Sequence, residues 1–193
     1  MNPMKRAADI IISLFAIILL SPLLLVLALV ILIADGAPVL YKQQRIGKDE
    51  KLFTIYKFRT MKNGTRLAAS GDLTESEAQI IPGGRLLRRL SLDELPQLFN
   101  ILKGDMSLIG PRPLIPEEEE IHELRRQYNV YRVRPGLTGL AQINGRDRLT
   151  CEEKARLDKE YVDHCGVAAD LAILFKTVRK VLGMSDVIEG GDQ

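Results

Sequence analysis

Between Asp9 and Asp35 the chain runs for twenty-five residues, Ile10 to Ala34, without a single charge. As one helix rising about 1.5 Å per residue, that run would measure roughly 37 Å, enough to cross a bilayer. A helix buried in a soluble core has no need to be apolar on every face. The run therefore belongs in a membrane, and it is too long for a signal peptide, whose apolar region spans about 7–15 residues. Ser21-Pro22 falls near its midpoint, where proline removes a backbone donor and crowds the preceding turn, so a kink or a break is predicted there. Lys5 and Arg6 precede the run, and Lys42, Arg45, Lys48, Lys51, Lys57 and Arg59 follow it. Basic flanks stay cytoplasmic, so both ends favour the same side. A re-entrant helix keeps them together, whereas a single kinked crossing separates them; on these grounds both topologies stay open. Either way residues 1–36 form a membrane anchor and residues 37–193 a cytoplasmic domain.

Composition excludes several classes. The net charge of +2 offers no global basic field for nucleic acid. Cys151 and Cys165 lie far apart with no C-x-x-C, so a disulfide framework is not expected. His122 and His164 lack the spacing of a zinc site. Neither a G-x-G-x-x-G nor a Walker loop occurs, and the D-x-D triplet of many glycosyltransferases is missing.

The remainder reads as α+β and mainly helical. Two β-favouring runs, 38–42 and 52–58, surround a Gly-Lys-Asp-Glu turn and predict a hairpin, with Phe53, Ile55 and Lys57 on one face of its second strand. A polar loop over 62–83, with a short helix at 73–79, follows. Leucines at helical spacing predict helix from Gly84 to Leu102. Prolines and glycines make 103–116 and 132–146 loops, and helices are predicted over 117–129, 152–165 and 168–182. The last carries Leu171, Leu174, Phe175, Val178, Val181 and Leu182 on one face, suited either to a core or to a membrane surface.

Asp93 and Glu94 sit side by side in "SLDELPQLFN". One reading is structural: Ser91 with Glu94 three residues on makes a capping box, and Asp93 suits a first helical turn. The other is chemical. A carboxylate attacking a phosphoryl group meets like charge, so cations must neutralise the substrate oxygens. Arg88, Arg89 and Arg112 lie near in sequence, and Lys57, Arg59, Arg134 and Arg146 occur in other segments. Arginine's planar fork holds two phosphate oxygens at once. Two carboxylates beside a diphosphate also make an oxygen-rich Mg²⁺ site.

Five segments, "KRAADIIISLFAIILLSPLLL", "QQRIGKDEKLFTIYKFRTM", "LRRLSLDELPQLFNILKGDMSLIGPRP", "VRPGLTGLAQINGR" and "LDKEYV", occur in an order that resembles the small monotopic bacterial polyprenyl-phosphate phosphoglycosyl transferases. The resemblance implies transfer of a sugar-1-phosphate from a UDP-sugar to polyprenyl (undecaprenyl) phosphate at the bacterial inner membrane, with the catalytic domain facing the cytoplasm. It implies Asp93 as nucleophile through a covalent phosphosugar-aspartate, with Glu94 assisting and both carboxylates holding Mg²⁺. By the same matching Arg88 and Arg112 clamp phosphate, as do Arg59 and Arg146, with Asp158 in support. It also implies a re-entrant helix broken at Ser21 and Pro22, and membrane-surface helices around a loop-rich catalytic domain. Arg59 stands where lysine is also usual, and the tail "MSDVIEGGDQ" departs from the family pattern. Two other classes are carried alongside: a membrane-tethered interaction protein whose Asp93-Glu94 merely caps a helix, and a lipid-linked phosphodiesterase or phosphatase. The sugar is not legible, and a homo-oligomer is left open.

Overall fold

The computed structural model describes residues 3–62, 80–145 and 148–183. The short helix expected at 73–79, Arg146 and the tail from Met184 onward lie outside them. The described chain is mainly helical with two small sheets.

Helix α1 (Pro3–Asp35) is the long apolar element, and it is not interrupted at Ser21-Pro22. The reason is local chemistry. Pro22 has no N–H for the carbonyl of Ile18, four residues back, but the Ser21 hydroxyl donates to that same carbonyl at 2.8 Å. The serine thus fills the vacancy that its proline neighbour creates, and the expected break gives way to helix.

One stripe of α1 meets the rest of the chain from end to end. Lys5 Nζ donates to the Tyr161 hydroxyl at 3.1 Å and pairs with Asp170. Arg6 donates to the carbonyls of Ile101 and Leu102, at 2.6 and 3.0 Å. Asp9, buried, accepts from Ser107 Oγ at 2.8 Å and from the Leu108 amide at 3.1 Å. Ala16 and Ile17 then pack on Ile55, Leu98, Ile101 and Met106, and Leu23, Leu24, Leu27, Ala28 and Ile31 on Phe58, Ile81 and Leu87. At the far end Asp35 pairs with Arg59 at 3.3 Å. These contacts recur at three- and four-residue spacing, as one helical face requires. The opposite face is bare: Ile33 is 84% exposed where Ile31 is 0%. So much contiguous apolar surface marks contact with lipid or protein rather than water.

Strands β1 (Leu40–Ile46) and β2 (Leu52–Phe58) pair antiparallel, with Leu40 opposite Phe58 and Ile46 opposite Leu52. The hairpin holds, with its first strand longer than the sequence suggested. The helix expected over 84–102 is split in two, α2 (Gly84–Arg89) and α3 (Gln97–Lys103), by a tight turn at Leu92–Glu94. Ser91 enters that turn with φ 54°, a left-handed backbone that helix cannot continue through. Gly104, at φ 97°, ends α3, and Arg6 donates to two carbonyls of its last turn.

Two segments expected to be loops contain short strands, β3 (Ser107–Ile109) and β4 (Gly136–Thr138), paired parallel. Glycine makes this pairing possible. A Cβ on Gly136 would lie 2.1 Å from the Gly110 nitrogen, so only two glycines let these backbones approach. Around them stand α4 (Glu119–Gln127), α5 (Leu140–Ile143), α6 (Cys151–His164) and α7 (Val167–Gly183). Ile109, Val130, Ile143, Tyr161, Val162 and Ile173 form their shared core. Helix α6 starts with a true capping box, Thr150 with Glu153.

Candidate active site

The turn that splits the leucine-rich run carries Asp93 and Glu94. The capping box read from Ser91 and Glu94 does not form: Ser91 makes no side-chain cap and sits in a left-handed backbone. Instead Glu94 is buried, and its Oε1 accepts from Lys57 Nζ at 2.9 Å and from Arg112 Nη2 at 3.3 Å. Three segments therefore converge on one carboxylate: β2, the turn after α2, and the loop after β3.

Lys57 belongs to the strand face of buried Ile55, so its charge is drawn into the protein. Burial pulls the Lys57 ammonium below its usual pKa, and Glu94 pulls it back. Removing Glu94 would strip the buried Lys57 ammonium of its ion-pair partner, which typically costs about 3–5 kcal/mol.

Asp93 is in a different position. Burial, and then the neighbouring Glu94 carboxylate, push its carboxyl up from 3.8 to about 6, against the opposing pull of Lys57, Arg88 and Arg112. Its charge is thus surrounded by cations but not fully satisfied by them. Arg88, near the end of α2, donates through Nε to Thr60 Oγ1 at 2.8 Å, which anchors its fork beside the acids.

The other sequence-predicted residues fall in three places. Arg59 is not spent on the carboxylate turn: its Nη2 donates to the carbonyls of Asp35 and Gly36, at 2.9 and 2.7 Å, where it closes the end of α1. Its position in the chain after β2 suggested phosphate; its side chain points to the helix terminus. Asp158 is buried on α6 and binds the Nε of Arg125 at 2.9 Å, and Arg125 Nη1 in turn donates to the Arg112 carbonyl at 2.9 Å. Asp158 therefore reaches the acids only through two intermediaries. Arg146 lies outside the described residues, and Ser21 and Pro22 are on α1, remote in role from the carboxylates.

Lys57, grouped from sequence with the other candidate cations, carried a further signal, since a cation on a buried strand face needs an anionic partner. Two contributors were not singled out from sequence. Arg45 is close enough that the Arg112 guanidinium, after burial, lowers its pKa. Asn100, fully buried, takes the Tyr56 amide at 3.1 Å and gives to the Thr54 carbonyl at 2.7 Å, pinning α3 to β2 and so fixing Lys57 against Glu94. Nothing in the sequence distinguishes that asparagine from a surface one.

Among the described residues no group of three or more His, Cys, Asp or Glu side chains is placed to hold a metal. Two adjacent carboxylates nevertheless fit Mg²⁺, which takes one or two such ligands and completes its shell with water and substrate phosphate. The incompletely compensated Asp93 carboxyl is what such an ion would relieve.

Comparison with known proteins gives a consistent answer. A family model described as bacterial sugar transferase matches residues 1–184. The uncharacterized sugar transferase EpsL of Bacillus subtilis is 44% identical over 93% of this chain and 87% of its own length. The exopolysaccharide production protein ExoY of Sinorhizobium fredii is 38% identical over 92% of this chain and 84% of its own. The UDP-glucose:undecaprenyl-phosphate glucose-1-phosphate transferase of Escherichia coli is 38% identical over 92% of this chain but only 40% of its own length.

Proposed function

The chain belongs to the bacterial sugar transferase family and is a phosphoglycosyl transferase, and from that premise we propose that it moves a sugar-1-phosphate from a UDP-sugar to polyprenyl phosphate. The name of the E. coli relative carries this donor and acceptor chemistry, and that of ExoY supports a role in polysaccharide production. Family membership sets aside the tethered interaction protein as the alternative.

Asp93 is the nucleophile in this reading. One carboxylate oxygen bonds to the β-phosphorus of the donor while the bond from that phosphorus to the bridging oxygen breaks, and the electron pair leaves with UMP. A phosphate oxygen of polyprenyl phosphate then attacks the same phosphorus. The acyl-phosphate bond breaks, Asp93 regains its carboxylate, and the lipid-linked diphosphate sugar departs. Splitting the transfer this way replaces one difficult encounter of two anions with two steps at a prepared site. Arg88 and Arg112 neutralise phosphate oxygens with their planar forks, and Lys57 adds a point charge. Glu94 holds Lys57 and Arg112 in place between turnovers. Asp93 and Glu94 would hold Mg²⁺, which when bound supplies further neutralisation of the diphosphate.

The single observation that carries the reading is the convergence of Lys57, Arg88 and Arg112 on two adjacent carboxylates, one of them undercompensated. The lipid acceptor accords with α1, whose apolar outer face suits a bilayer and whose two ends both engage the body, so that in this reading both ends stay on the cytoplasmic side of the inner membrane. The exposed stripe of Val167, Leu171, Phe175 and Val178 on α7 lies on the same membrane surface. The experiment is UMP release by purified protein given UDP-sugar, undecaprenyl phosphate and Mg²⁺. Asp93→Asn abolishes turnover; undiminished release would remove the nucleophile. Release of UMP without lipid-linked sugar would favour the hydrolase.

A further inference from the structure

Arg112 stands between two prolines in "GPRPLIP", residues 110–116, with a third proline at the end. Proline has no N–H, so this segment cannot pair with itself, yet buried carbonyls require donors. The fold supplies one to each of five carbonyls in a row. Pro111 receives the Gly136 amide at 2.8 Å, and Leu114 the Ile46 amide at 3.0 Å. Pro113 receives Arg45 Nη1 at 3.3 Å, Arg112 receives Arg125 Nη1 at 2.9 Å, and Ile115, which also takes the Glu118 amide at 3.2 Å, pairs with His122 Nε2 at 2.7 Å.

Two of these donors, His122 and Arg125, lie three positions apart on α4, hence on one face, and both are buried. Each is itself fixed from behind. Asp158 binds the Nε and Nη2 of Arg125, and the Tyr131 hydroxyl pairs with His122 Nδ1. Because a carbonyl only accepts, His122 Nε2 carries the hydrogen in its bond to Ile115. The result is a backbone held at both ends of Arg112–Ile115, with the Arg112 side chain left to reach Glu94.

We propose that Arg125 and His122 are positioning residues for phosphoryl transfer: they fix the course of the Arg112–Ile115 backbone so that the Arg112 fork meets the donor diphosphate. The proposal rests on the reading of Arg112 as a phosphate ligand. Arg125 acts through the Arg112 carbonyl and His122 through that of Ile115, in both cases on the backbone that carries Arg112 rather than on substrate, and this separates them from residues that merely stabilise the fold.

A double-mutant cycle on the full chain in detergent makes that separation. The probe is whichever of UDP-glucose, UDP-galactose and UDP-N-acetylgalactosamine the unmodified protein turns over, with undecaprenyl phosphate as acceptor and kcat/KM read from UMP. Arg125→Lys keeps a charge for Asp158 but cannot span to the carbonyl, and His122→Phe keeps the ring shape without a donor. Each lowers kcat/KM about 10- to 100-fold, the scale of a misplacement of about 1 Å. On an Arg112→Ala background the same changes cost less than about 3-fold, because the group they aim is gone. His122→Gln, which restores a donor toward Ile115, recovers most of the loss. Equal losses in both backgrounds, or none in the first, would overturn the proposal. Should Arg125→Lys fail to fold, the His122 pair decides alone. If Arg112→Ala retains full activity, the phosphate-ligand reading falls and this falls with it; if Arg112→Ala is impaired while the α4 variants are not, this one alone falls.

Discussion

Replacing Asp93 by Asn should inactivate the protein and at the same time make it more stable. The folded chain raises the Asp93 carboxyl from 3.8 to about 6, mainly by burying it and secondarily by placing Glu94 beside it. The folded state therefore binds this proton more tightly than the unfolded state, and ionising the group opposes folding. The cost is absent below about pH 4, grows between about 4 and 6, and is complete above about 6. Two units at 1.36 kcal/mol each make about 3 kcal/mol; partial contact with water trims this to about 2 kcal/mol. Asparagine has the same shape without the charge and escapes the cost. For a chain of this size the gain equals a rise in Tm of about 4–8 °C. The assay is thermal unfolding of both proteins in one detergent with EDTA, from about pH 4 to pH 8. The expected difference is full at pH 8 and fades toward pH 4, and Mg²⁺ at pH 8 narrows it by relieving only the unmodified protein. A gain of equal size at both ends of the series, or a variant less stable at pH 8, would refute the argument.

Three more expectations follow from the same geometry. With saturating acceptor, kcat/KM for the donor falls on the acid side of about pH 6, a value that belongs to the Asp93–Glu94 pair jointly; a flat profile from about pH 5 to pH 8 would contradict it. Arg59→Gln frees the end of α1, lowering Tm while leaving donor KM within about 3-fold; a tenfold rise in KM at unchanged Tm would return Arg59 to the phosphate site. With Cys151 and Cys165 replaced by serine, single cysteines at positions 3 and 36 should both react with an impermeant reagent from the cytoplasmic side; labelling of one from the periplasm would rule out re-entry.

Much of this architecture was legible because it depends on spacing close along the chain. The stretches between proline- and glycine-rich loops located the helices α4 and α6, an apolar face located α7, and the turn between two β-favouring runs located the hairpin. What escaped depends on distant partners. Ser91 and Glu94 have the spacing of a cap, but Glu94 gains more from two cations contributed by residues 57 and 112 than from an adjacent amide. Strands β3 and β4 are three residues each, too short to announce themselves, and exist because two glycines meet across the fold. Lys57, on β2, and Arg59, just past its end, are two positions apart and looked alike as phosphate ligands; Glu94 claims the first and the end of α1 the second. Arg125 reads as an ordinary charge on a polar helix, and only the folded molecule reveals that it bridges α6 to the Arg112 backbone.

The contact stripe of α1 has a practical corollary. Leu98 and Phe58 are roofed by the long apolar helix itself, and Asp170 and Ser107 find partners on it. Clipping the hydrophobic N-terminus to obtain a water-soluble enzyme would strip the interior of a wall and orphan several polar groups. Anyone seeking crystals or a binding assay should plan on micelles or nanodiscs from the outset.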